Sequence, residues 1–90
     1  MAWRTITTLD KPYKAKFRVR IEGEERKDGT WSGRVAFVDG KNVVRTGQET
    51  SQPNRKALEY WATGLEPVYL EGAFERANEA KPSSRASTRR

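Results

Sequence analysis

The sequence contains no cysteine and no histidine. Without cysteine there are no disulfides, thiolate metal sites or thiol nucleophiles. Without histidine the commonest general base and the commonest zinc ligand are also missing, so any catalysis would have to rest on carboxylates. Apolar residues are scarce, at 34% of 90 residues, and a chain of this size buries a thin core in a single domain. No apolar run reaches the length of a membrane span, and the N-terminus has no apolar signal-peptide core. The expectation is a soluble cytoplasmic protein with no membrane partner.

Positive charge is abundant, and it is unevenly placed. The net charge is +6. Residues 1–20 hold six basic groups and one acid, residues 21–79 hold eight against eleven, and residues 80–90 hold Lys81, Arg85, Arg89 and Arg90 with no acid. Positive ends flanking an acidic middle point to a polyanion, of which nucleic acid is the leading candidate.

Hydrophobic periodicity predicts the elements. Residues 1–12 read as an N-terminal arm or edge strand. Tyr13, Ala15, Phe17, Val19 and Ile21 alternate with Lys14, Lys16, Arg18, Arg20 and Glu22, the period-two signature of a strand with one apolar and one charged face. A second strand runs from Trp31 to Val38, and Val43 to Thr46 make a third. Opposed residues of antiparallel strands share a face. A three-residue loop, Lys27 to Gly29, then pairs Ile21 with Val35, Val19 with Phe37 and Glu22 with Arg34. A turn at Asp39-Gly40 is expected to pair Val35 with Val44 and Arg34 with Arg45. Capping side chains at Thr50 to Gln52, Pro53 and a terminating Gly64 bound a helix with an apolar stripe through Ala57, Leu58, Trp61, Ala62 and Leu65. Alternation of Val68, Leu70, Gly72 and Phe74 predicts a fourth strand. Residues 78–90 read as a disordered basic tail. The expected domain spans residues 13–77. It is α+β, ordered β-β-β-α-β, with a three-stranded antiparallel meander and one helix on one sheet face.

The carboxylates offer no catalytic or metal site: Asp10, Asp28 and Asp39 suit loops and turns, and Glu71 and Glu75 would lie about 13 Å apart on a strand. No cofactor is expected, and no enzyme. The candidate nucleic-acid-binding residues are Lys14, Lys16, Arg18 and Arg20 along the first strand, Arg34 and Arg45 on its neighbours, and Arg85, Arg89 and Arg90 in the tail. On one strand face the cations would repeat about every 7 Å, comparable with phosphate spacing along an extended nucleic-acid strand, DNA or RNA. Tyr69 and Trp3 are the aromatics left for base stacking, the others pointing toward the core. In the bland alternative Glu71 and Glu75 pair with Lys14, Lys16 or Arg18 across the ladder, and the face is simply solvated. A protein-interaction role, as an antitoxin-like partner or a homodimer through sheet extension, is the rival function.

The element order, together with Asp28-Gly29-Thr30-Trp31, Val38-Asp39-Gly40, Gly47-Gln48-Glu49-Thr50 and Ala57-Leu58, resembles HicB-like antitoxins, which are degenerate ribonuclease-H-like domains. The likeness spans residues 13–75. Active ribonuclease H domains resemble the chain at Asn54-Arg55, but their glutamate falls at Ala57, and Lys and Arg stand where a metal-binding aspartate would lie. The resemblance implies a non-catalytic relative whose partner is a toxin or nucleic acid.

Overall fold

A computed structural model describes residues 2–79. Seven elements follow one another: β1 (Arg4–Thr8), β2 (Arg18–Glu25), β3 (Trp31–Asp39), β4 (Asn42–Arg45), β5 (Thr50–Gln52), α1 (Arg55–Thr63) and α2 (Pro67–Glu79). The strands form one antiparallel sheet ordered β1-β2-β3-β4, with β5 also paired to β3. Because β4 pairs Ala36–Asp39 and β5 pairs Trp31–Gly33, the two short strands lie end to end along the same edge of β3. The α+β class and the meander stand as expected, and the N-terminal segment is an edge strand.

The first hairpin has the expected register: Val19 faces Phe37, Ile21 faces Val35 and Glu22 faces Arg34. Gly29 sits at φ 90, a conformation that only glycine adopts without strain, so the three-residue loop closes where the sequence places it. The second hairpin is displaced by two residues. Gly40 and Lys41 form its turn, with Gly40 at φ 61, so Val44 faces Phe37 and Arg45 faces Ala36. A shift of two preserves the faces. Val44 still packs on the core, and Arg45 still points outward, now beside Ala36 instead of Arg34.

Two expected strand segments are not strands. Residues 13–17 form a tight turn in which Lys14 and Ala15 take φ values of 56 and 55. The cause is aromatic packing: the Phe74 ring lies 5.3 Å from Tyr13 and 4.9 Å from Phe17, whereas a straight strand would hold those two residues about 13 Å apart. Residues 68–75, expected as a fourth strand, belong to α2. Leu70, Ala73 and Ala77 are the buried positions, a three-to-four residue spacing, while Val68 is 74% exposed. Pro67 fits the first helical position, where its missing N–H costs nothing.

Helix α1 starts at Asn54, whose side chain accepts from the Ala57 N–H at 2.8 Å, so the expected capping segment Thr50–Gln52 is free to form β5. Gly64 ends the helix as expected. The docking of α1 is set by a glycine pair, Gly23 opposite Gly33 on the two central strands. A Cβ on either would stand 2.6 or 2.5 Å from a Leu58 methyl, so the pair forms the notch that admits this fully buried side chain. Val19, Ile21, Val35 and Phe37 from the sheet meet Ala62, Leu70, Ala73 and Ala77 from the helices. The helices cover this side, and the opposite sheet face carries arginines.

Candidate nucleic-acid interface

Register places the cations of the outer face. One row across β4, β3 and β2 reads Arg45, Ala36, Arg20; the adjacent row sets Arg34 opposite Glu22; a third sets Arg18 opposite Val38, itself opposite Val43. Ala36 is fully buried although no helix covers it. Its cross-strand neighbours are Arg20 and Arg45, whose long methylene stems are of the kind that shields a small residue while the charged heads stay near water.

The heads meet at Glu22. Its carboxylate accepts from Arg34 Nε at 2.7 Å and from Arg45 Nε at 3.1 Å, and Arg20 Nη2 lies 3.9 Å away. Burial pushes the Glu22 carboxyl up, but the hydrogen bonds and charges of Arg34 and Arg45 outweigh it and hold the group below the usual glutamate range. Glu22 is therefore ionised at neutral pH and orients three guanidinium groups. Each guanidinium has five N–H donors, and among the described residues Arg34 and Arg45 hydrogen-bond through Nε alone. Arg20 Nε is buried and has no partner among the described residues. The three arginine side chains remain 31%, 22% and 41% exposed for Arg20, Arg34 and Arg45, so their spare donors are within reach of a ligand. Trp3 completes the cluster from the β1 side, its ring centred 4.1 Å from the Arg34 guanidinium carbon.

Of the residues proposed from sequence, Arg18, Arg20, Arg34 and Arg45 share this face. Lys14 and Lys16 do not, because the turn at 13–17 lifts them off the strand. Lys14 Nζ sits 5.5 Å from both the Tyr13 and Phe74 ring centres, and Lys16 pairs with Asp39 at 3.5 Å. The regular four-cation ladder is thus replaced by an arginine cluster. Arg85, Arg89 and Arg90, with the rest of the expected tail from residue 80 onward, lie outside the described residues. Glu71 and Glu75 are on α2 and make no ion pair with these cations among the described residues. Tyr69 is not an outer-face aromatic, since its hydroxyl donates to Glu49. What sequence reasoning missed was the convergence: alternation put Glu22 and the arginines on one face and paired Glu22 with Arg34, but it did not show that Arg20 and Arg45, both in the row of Ala36, also turn their heads to Glu22.

These features define a small α+β protein with an open, arginine-bearing sheet face. No protein-family model matches the chain, and no match was found among curated proteins or solved structures. Among the described residues no helix is long and apolar enough to cross a membrane.

Proposed function

We propose that this chain is a small, non-catalytic, cytoplasmic nucleic-acid-binding accessory protein whose outer sheet face engages the phosphate backbone. The observation that carries the reading is stoichiometric: Arg18, Arg20, Arg34 and Arg45 share one face with two carboxylates, Glu22 at their centre and Glu24 one row beyond it, opposite Ser32. The face keeps a surplus of positive charge, and three of its guanidinium groups are already oriented, with free donors suited to phosphate oxygens. Trp3 lies at the margin of the cluster, where an unstacked base could be received. The cations at 81, 85, 89 and 90 would add to the same attraction. The non-catalytic part of the reading agrees with the resemblance to degenerate ribonuclease-H-like domains, in which Ala57 stands at the position of a catalytic glutamate.

Fluorescence anisotropy with labelled single- and double-stranded DNA and RNA, titrated against salt, tests the proposal. Four phosphate contacts from the face would give a log–log salt slope of about −3 on single strands and slightly steeper on duplex. Arg18→Ala and Arg45→Ala should each flatten that slope by about one and weaken all sequences alike. Absence of binding at low salt, or a slope untouched by either substitution, overturns it.

A further inference from the structure

On the helix side of the sheet a groove of about 1020 Å³ runs between β1, the segment after it and the α1–α2 junction. Ile6, Leu9, Leu65 and Leu70 supply apolar walls, and Lys11 and Lys14 stand at its margin. Residues 6 to 14 all line it; of these Ile6, Thr7 and Thr8 belong to β1, where the strand also carries an irregularity in register between Thr5 and Thr7. Opposed residues share a face, so the Thr8 side chain lies on the Arg20 side of the sheet; because Thr8 still lines a groove walled by the helices, the groove reaches the outer edge of β1. That edge is unpaired, because β1 is the terminal strand of the sheet order. The Leu9 N–H points inward, donating to Val19 O at 2.9 Å. Antiparallel strands alternate the direction of their backbone groups. The N–H and C=O of Thr8 therefore point outward, into the groove.

An edge with free backbone donors beside an apolar groove has the geometry of strand addition. Charge selects the occupant. Lys11 and Lys14 have no carboxylate within ion-pair distance among the described residues, and of the two acids at the groove Glu59 is already held by Arg55 at 3.2 Å, leaving Asp10. A second copy would bring its own β1 region, in which Arg4 and Lys11 outnumber Asp10, so a positive strand would meet a positive edge. We infer that β1 docks an extended, acidic segment of a partner protein, with alternate apolar side chains in the groove and a carboxylate at Lys11 and Lys14. The groove opens on the helix side and the arginines on the other, the two coming closest where Thr8 pairs with Arg20.

The test selects binders from a phage-displayed random peptide library and measures the enriched peptide, fluorescein-labelled, by polarisation. The expected consensus alternates apolar residues and ends in an acid. Thr8→Pro deletes the outward N–H without touching the β1–β2 ladder and should weaken that peptide about tenfold, the effect of one lost main-chain hydrogen bond. The surface double variant Lys11→Glu with Lys14→Glu, which needs no backbone change, should weaken it comparably, whereas Arg45→Ala should not. The inference fails if no such consensus is enriched, or if the charge reversal leaves binding unchanged. Elution of the chain as a dimer that Thr8→Pro converts to monomer would assign the edge to a second copy and likewise overturn it.

Discussion

Two nearly buried glutamates organise opposite sides of this molecule, and they differ in how many cations each must satisfy. Glu22 on the outer face is shared by Arg20, Arg34 and Arg45. Glu49, in the segment joining β4 to β5, is gripped by Arg76 of α2 through Nε at 3.0 Å and Nη2 at 2.7 Å, and it accepts a further hydrogen bond from the neutral Tyr69 hydroxyl. At Glu49 one charge meets one charge. The result is a closed clamp that ties α2 to the edge of β3, where the Glu49 N–H also donates to Gly33 O at 2.7 Å. At Glu22 three positive charges meet one negative, so the carboxylate positions the guanidinium groups without cancelling them. The same chemistry thus makes a structural staple in one place and an electropositive surface in the other. Stoichiometry separates them.

The largest test of this contrast is Glu22→Gln. It leaves three guanidinium groups converging on a neutral amide, and because those arginines are partly solvated the cost should be about 2–4 kcal/mol, read from urea unfolding. Glu49→Gln strips one charge-assisted pair and should cost less, about 1–2 kcal/mol. Equal costs would break the comparison. Acid sharpens it. Burial raises both carboxyls, but arginine hydrogen bonds at Glu22, and those of Arg76 and Tyr69 at Glu49, outweigh it and bring both below the ordinary 4.5. With folded values depressed, the stabilisation is complete above the unfolded value and is lost as pH falls below 4.5, because the unfolded chain takes up protons first. Glu22→Gln should flatten this acid limb more than Glu49→Gln does, and the reverse order would contradict the shared role assigned to Glu22.

How far the sequence revealed these two sites depended on how many signals agreed locally. In the first hairpin strand alternation, loop length and the Glu22–Arg34 pairing all pointed to one register, and it is the one adopted. At Asp39-Gly40 the turn signal fitted two placements of the same faces, and the chain adopts the one with Gly40 and Lys41 at the turn, which sets Arg45 beside Ala36 instead of Arg34. Residues 68–75 misled because Leu70 and Phe74 satisfy both a two-residue and a four-residue period; Ala73 and Ala77, small and easily passed over, complete the helical stripe. Residues 13–17 continued the alternation in sequence, but contacts of Tyr13 and Phe17 with the distant Phe74 overrode it. The Glu49 clamp was invisible for a similar reason, since its partners lie 20 and 27 residues away and its geometry requires α2 to be a helix.

The smallest expected effect belongs to Tyr69, and it probes the clamp from its alkaline side. Burial pushes the Tyr69 hydroxyl up, and the hydrogen bond to Glu49 adds to that push, so it titrates at about 12 instead of 10.0. Because the folded value exceeds the unfolded one, the stabilisation is whole below pH 10.0 and is lost as pH rises toward about 12, where the unfolded chain has already released its phenolic proton. Tyr69→Phe removes the hydroxyl but keeps the ring that packs edge-on to Trp61 at 6.0 Å. At neutral pH it should cost about 1 kcal/mol, one hydrogen bond to a charged acceptor that Arg76 still satisfies. The difference in urea midpoint between the native chain and Tyr69→Phe should then shrink once pH passes 10.0, and a spectrophotometric titration should show a phenol ionising at about 12 that Tyr69→Phe removes. A difference that stays constant through this range would mean that the phenol contributes packing alone, leaving Arg76 as the whole of the clamp.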